Sequence, residues 1–566
     1  MSLSKSIIGA GAPLLLALPL SAQMSFTLPA GASAAAQVID EKTLRSHVAF
    51  LSDDLLEGRG PAMRGDEIAR LYIQSRMEAL GLKPGMPDGT WQQPFDLVGV
   101  DATVPPTWSF RSAGNELALN NSRDFIVASG VQSPTAAVSN AELVFVGYGI
   151  EAPEYQWDDF KDADLRGKVL VMLNNDPDWD PNLFEGSKRL YYGRWTYKYE
   201  SAARQGAAGA IIIHTTPSAG YPWQVVQTSW TGEQFELPAT GEARLQLEGW
   251  LTEDATRRLL TAGGKDLDSL VASARSRNFK PVPLGITTSF SLQNKVSRKK
   301  TANVLGILPG SDRKDEYIIY TAHHDHLGMA AEGDDRIYNG ARDNAAGVAQ
   351  VLAIAKAFTE LPQPPSRSIM FLFVGAEEQG LLGSKYYAEH PTVHPGKMAA
   401  NINIDGGNIW GRTRDIAQVG GGKSNIDDVV AHFARLQGRE IKPEAYPDRG
   451  FYYRSDQFNF AKIGVPAIYL DEGVDFRDRP AEWGRQQIES WEAVRYHQPS
   501  DELTDDWSFA GMIEDAQLAF NAGLAIATME NTPVWNPGDE FEAARKRALA
   551  EAAAEQGTAV KARGAE

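Results

Sequence analysis

Nine histidines occur among the 566 residues, and three of them fall in Thr321-Ala-His-His-Asp-His-Leu-Gly328. Cysteine is absent, which excludes disulfides, a thiolate nucleophile and any Cys-ligated zinc. What remains is the chemistry of imidazole and carboxylate, which hold divalent ions through nitrogen and oxygen donors. Beyond the HHDH cluster the candidate positions are Asp343, the pair Glu377-Glu378, Asp405 and His497. Each also has a plainer reading on its own. Asp343 precedes an apolar helical run and suits an N-cap. A Glu pair after a strand suits a solvated loop, and a lone histidine a structural role. Their shared placement sets them apart, because all of them end strand-like runs or open helix-like ones in one stretch of chain.

The surrounding patterns supply the elements that must position these residues. Tyr317-Ile-Ile-Tyr320 leads into the histidines, Ile369-Met-Phe-Leu-Phe-Val374 into Glu377, and Asn401-Ile-Asn-Ile404 into Asp405; Ala345-Ala-Gly-Val-Ala-Gln350 opens the helix after Asp343. Strands alternating with helices of this length predict an α/β domain whose sheet is covered on both faces. In such sheets the carboxyl ends of the strands face the ligand crevice, where these residues fall. Upstream, residues 39–82 read as helical, with Ile68, Leu71, Tyr72, Met77 and Leu80 able to share a face before Gly81 and Pro84. From 139 the runs Ala141-Glu-Leu-Val-Phe145 and Val169-Leu-Val-Met-Leu173 predict a second, strand-rich unit.

The length favours two or three domains. A net charge of −18 argues against nucleic acid or anionic membrane as a partner. The first residues combine one Lys, a short apolar run and small residues at Ser21-Ala22-Gln23 and Ala34-Ala-Ala36, the anatomy of an export signal. No later stretch approaches the ~20 apolar residues of a spanning helix, so no stable membrane insertion is expected once the signal is cleaved. The end of the chain, from about Gly538, is Ala-rich and charged, and is expected to be a frayed helix or a disordered tail.

Taken in order, Ala322-His-His-Asp325, Gly340-Ala-Arg-Asp-Asn-Ala-Ala-Gly347, Gly375-Ala-Glu-Glu378, Asn403-Ile-Asp405 and Tyr496-His497 resemble the motifs of the co-catalytic zinc peptidases. That family includes bacterial secreted aminopeptidases, glutamate carboxypeptidase and glutaminyl cyclase. The segments GYGIEAPEYQWDDF and DLRGKVLVML resemble the protease-associated domain often inserted in such enzymes. The resemblance implies an α/β fold, a mixed central sheet flanked by helices, with an inserted, smaller β-rich domain. The boundaries expected are a signal at 1–36, catalytic domain at 37–138 and 291–535, protease-associated domain at 139–290 and tail at 536–566.

It further implies two zinc ions per chain. His323 and Asp405 would be terminal ligands of one, Glu378 and His497 of the other, and Asp343 the bridge. Glu377 would be the general base acting on a metal-activated water, and Asp325 would hydrogen-bond the His323 imidazole from behind. His324 and His326 would be structural. Tyr452 would hydrogen-bond the oxyanion, with Tyr453 its rival, and Arg342 and Tyr453 are candidates for substrate binding. The departures from the family are Gln457, where Ser-Asp-His is frequent, and Arg342. The segment 475–495, with Trp483 and Trp491, resembles an insertion suited to forming a pocket wall and reads equally as an ordinary amphipathic helix. The expected function is an exported, periplasmic or secreted aminopeptidase acting on peptides. The alternatives are a glutamate-carboxypeptidase-like hydrolase, for which Arg342, Arg412, Arg414, Arg449 and Arg454 offer carboxylate partners, and a metal-free binding module on the same scaffold. A compact glutaminyl cyclase fits less well, given the large insertion.

Overall fold

The computed structural model describes residues 26–563. The signal expected at the N-terminus therefore lies largely outside the described residues. Ala32–Ala36 is a short helix with Ala32, Ala35 and Ala36 buried, and Gln517 Nε2 donates to the Ala36 carbonyl at 3.1 Å.

At the centre lie three parallel strands, Arg367–Val374, Arg313–His323 and Met398–Asn403, in that spatial order. Ala467–Glu472 adds in parallel beyond Met398–Asn403, then Asp415–Val419 turns antiparallel. On the other side, the end of Val282–Leu308 pairs antiparallel with Arg367–Val374. The sheet is mixed, as expected.

Period-two alternation explains why its middle strands read as unbroken apolar runs. In Arg367–Val374, Ile369, Phe371 and Phe373 enter one core with the helices Glu41–Leu51, Ala346–Thr359 and Phe509–Thr528. Met370, Leu372 and Val374 enter the opposite core with Tyr387 and Phe460. Full burial of such a side chain is worth roughly 1.5–3 kcal/mol each, and the sheet has this on both faces. The helix Glu41–Leu51 starts where Asp40 accepts from the Thr43 amide at 2.7 Å, an N-cap that satisfies a free donor. Among the described residues no helix is long and apolar enough to cross a membrane.

The second unit begins earlier than residue 139. Phe125–Ser129 pairs with Leu247–Thr252, and Trp108, Phe110, Leu119 and Phe125 share a core with Leu143, Leu251 and Phe290. Nor is it cleanly detached at residue 290. Val282–Leu308 is one continuous 27-residue strand whose first half pairs within the second unit and whose end enters the catalytic sheet. Gln92–Thr103 runs antiparallel alongside it. The predicted tail also folds, because Glu542–Arg563 is helical and Arg545 is buried, with its Nη1 donating to the Met398 carbonyl at 2.9 Å. Composition alone missed this anchor.

Candidate active site

Every candidate ligand sits at the carboxyl end of the central strands or on a loop that reaches it. His323 is the last residue of Arg313–His323, and Asp343 lies in the irregular turn Ala341–Ala345 before the helix Ala346–Thr359. Glu377 and Glu378 follow Arg367–Val374, and Asp405 follows Met398–Asn403. His497 comes after the helix Trp483–Val494, with φ at 56°.

The Asp343 carboxylate stands between two histidine groups. Its Oδ1 is 3.2 Å from His323 Nε2, and Asp405 Oδ1 is also 3.2 Å from that nitrogen. Its Oδ2 is 3.5 Å from His497 Nε2, which lies 3.0 Å from Glu378 Oε2. His323, Glu377 and Asp405 offer ligand atoms within 4.8 Å of one another, and so do His326, Asp343 and Glu378. One carboxylate with an oxygen toward each imidazole group is a donor set for two adjacent cations. The donors are nitrogen and oxygen throughout, which suits zinc.

The field agrees with this. Burial alone would lower the imidazoles, but Glu377 and Asp405 push His323 upward, and Glu378 with Asp343 push His497 to about 10. Burial opposes ionisation of Asp343 and Glu378. The histidines nevertheless hold Asp343 well below the usual carboxylate range and Glu378 at about 2. Glu377 behaves in the opposite way, since burial and the neighbouring carboxylates Asp405 and Glu378 raise it well above the ordinary value. Two adjacent glutamates thus differ in character, one ionised toward the histidines and one inclined to take a proton.

Asp325 takes a different part from the one expected. His323 Nδ1 donates to its main-chain carbonyl at 3.2 Å, and its side chain lies 3.8 Å away. That carboxylate instead accepts from the amides of Glu377 and Glu378, at 3.0 and 3.3 Å, and so shapes their loop. Three further residues were not singled out for the site. His326, expected to be structural, approaches Glu378 Oε1 with Nδ1 at 2.5 Å. Asp501 accepts from the amides of Arg342 and Asp343, at 3.1 Å to each. Ser229, from the second unit, meets His497 Nδ1 at 2.8 Å. The HHDH cluster signals His326 and the nearness to His497 in sequence signals Asp501, whereas nothing in the sequence signals Ser229.

Neither tyrosine expected at the oxyanion faces the cleft. Tyr452 is buried against Phe541 and Tyr453 with its hydroxyl unpartnered, and the Tyr453 hydroxyl donates to Glu540 at 2.8 Å. Packing holds them there: the Tyr452 ring lies against Phe541 with Lys423 Nζ 5.4 Å from its centre, and Gln457 Nε2 donates to the Tyr452 main-chain carbonyl at 2.7 Å. The phenols that line the cleft are those of Tyr446, Tyr469 and Tyr496.

Arg342 does line the cleft, but its guanidinium is engaged. Nη2 contacts Glu472 at 2.5 Å, Nε donates to the Gly407 carbonyl at 3.1 Å, and the Trp491 ring lies 4.3 Å from the guanidinium carbon. Of the five candidate arginines only Arg342 and Arg454 border the cleft, and Arg454 reaches the Tyr496 hydroxyl at 3.2 Å. Trp491 and Ile488 of the helix Trp483–Val494 form part of the wall, whereas Trp483 packs on Phe476.

Residues 303–521 match the family model described as peptidase family M28. Over 267 residues the chain is 29% identical to Leupeptin-inactivating enzyme 1 of Streptomyces exfoliatus, covering 46% of this chain and 55% of that protein. Over 223 residues it is 25% identical to aminopeptidase YwaD of Bacillus subtilis (strain 168), covering 37% of this chain and 41% of that protein. The chain thus spans about half the length of these two relatives. The fold is similar to that of an aminopeptidase from Aneurinibacillus sp. strain AM-1, with a TM-score of 0.52 and 20% identity over 90% of this chain and 98% of that one.

Proposed function

We propose that this chain, which carries a peptidase family M28 domain over residues 303–521, is a zinc-dependent exopeptidase that removes residues from the N-terminus of peptides. The observation that carries the reading is the Asp343 carboxylate, with one oxygen toward His323 and the other toward His497. His323 and Asp405 would hold one zinc ion, Glu378 and His497 the other, with Asp343 shared. Bound there, the ions would polarise the scissile carbonyl and make a coordinated water more acidic.

Glu377 accepts the proton of the attacking water and returns it to the leaving amine, a task suited to a carboxylate whose affinity for a proton is raised by burial. Asp325 holds the Glu377 main chain in place for this. A free amine is favoured over a C-terminal carboxylate by the charge around the cleft. Glu444 and Asp471 border it in addition to the four candidate site carboxylates, while Arg342 is paired with Glu472 and Arg454 donates to the Tyr496 hydroxyl. The leader-like N-terminus supports export, and the strand-rich second unit is read as a protease-associated domain. The test is one peptide offered free, N-acetylated and C-amidated. Acetylation should abolish cleavage while amidation is tolerated. The opposite pattern would point to a carboxypeptidase.

A further inference from the structure

The two histidines of the site are supported in different ways. His323 Nδ1 is satisfied two residues away, by the Asp325 carbonyl at 3.2 Å, so its orientation is set within its own loop. His497 has no such local partner for Nδ1. Its ring nitrogen meets Ser229 Oγ at 2.8 Å, 268 residues back in sequence.

Ser229 ends the short helix Trp223–Ser229 of the second unit. Trp223 Nε1 and Gln227 Nε2 tie that helix to the Ser122 carbonyl of the same unit, at 2.8 and 3.0 Å. Gln224 Nε2 reaches across to the Ala493 carbonyl at 2.9 Å, four residues before His497. The helix therefore rests against the segment that delivers the histidine.

We propose that Ser229 is a positioning residue for His497, and that through it the second unit completes one of the two metal sites while the other is complete within the catalytic domain. The inference rests on the metal reading given above. His497 Nε2 faces Glu378 and Asp343, so for it to be a ligand atom Nδ1 must carry the proton and donate it to an acceptor. The Ser229 hydroxyl is that acceptor. His497 also occupies the left-handed region at φ 56°, which a non-glycine residue keeps only where its surroundings hold it. Ser229 meets its imidazole, and the Tyr496 ring centre lies 4.0 Å from that of the imidazole.

The experiment is zinc affinity of the full-length protein, measured by competition with a chromophoric chelator. Wild type should show two sites. Ser229→Ala should weaken one site by roughly 10–100-fold, as loss of a ligand's hydrogen-bond partner does elsewhere, and leave the other unchanged. Ser229→Thr, which keeps the hydroxyl, should return the weakened site to within a few-fold of wild type. Thermal unfolding of the metal-free variants checks that the fold survives. Two tight sites in Ser229→Ala would overturn the proposal, and so would an equal loss in Gln224→Ala, which disturbs docking but spares the hydroxyl. A wild type that binds no zinc would instead defeat the metal reading itself.

Discussion

Arg59 Nε donates to the main-chain carbonyl of His324 at 2.9 Å, which joins the N-terminal helical segment to the loop that carries His323. The same guanidinium donates to the Gly340 carbonyl at 2.9 Å and to the Asn339 carbonyl at 2.6 Å, and also bonds the Leu51 carbonyl. Arg59 is 1% exposed, and burial lowers it to about 10, so it stays charged at neutral pH. One cation thus anchors two loops that present candidate ligands.

Arg59→Ala takes a donor from four carbonyls, of which that of Gly340 keeps the Ala345 amide at 3.1 Å. Hydrogen bonds to charged groups are worth about 1.5–3 kcal/mol each and do not simply add. Urea unfolding should show a loss of at least about 3 kcal/mol, with weaker zinc retention. Arg59→Lys should recover little, because a single ammonium cannot reproduce the planar fork. A variant as stable as wild type would show that the anchor is dispensable.

The two adjacent glutamates should separate in function. Glu377→Gln should keep its zinc and lose turnover by about 10²–10⁴-fold, the usual worth of general-base assistance. Glu378→Gln should lose zinc affinity as well. Metal content and turnover measured on both variants decide the matter, and a swapped result would reverse the roles.

Tyr452→Phe removes a hydroxyl that is buried and has no partner. Turnover should remain within about twofold of wild type, and stability should be unchanged or higher by up to about 1–3 kcal/mol, the cost of leaving such a group unsatisfied. A drop in turnover of a hundredfold would return Tyr452 to the site.

Metal removal provides the broadest check. Elemental analysis should find about two zinc ions per chain, in keeping with paired-ion sites. A strong chelator should abolish peptide hydrolysis and added zinc should restore it. Full activity in a verified metal-free preparation would end the proposed mechanism.

The sequence by itself determined the α/β alternation and the place of each candidate ligand along the chain. It could do so because these features are local. Apolar runs of period two mark the strands, and a histidine or carboxylate just past such a run needs no distant information to be found. What lay beyond its reach depends on contacts closed by folding. The Tyr452 ring is held away from the cleft by Phe541, 89 residues on, and Lys423. The boundary at 139 moved because Phe125–Ser129 hydrogen-bonds to Leu247–Thr252, a pairing no local pattern signals. Arg59 and Ser229 are, by composition, an ordinary arginine and an ordinary serine. Only tertiary structure brings the first to His324 across 265 positions and the second to His497 across 268. A hydrogen bond acts over about 3 Å of space whatever the separation in sequence.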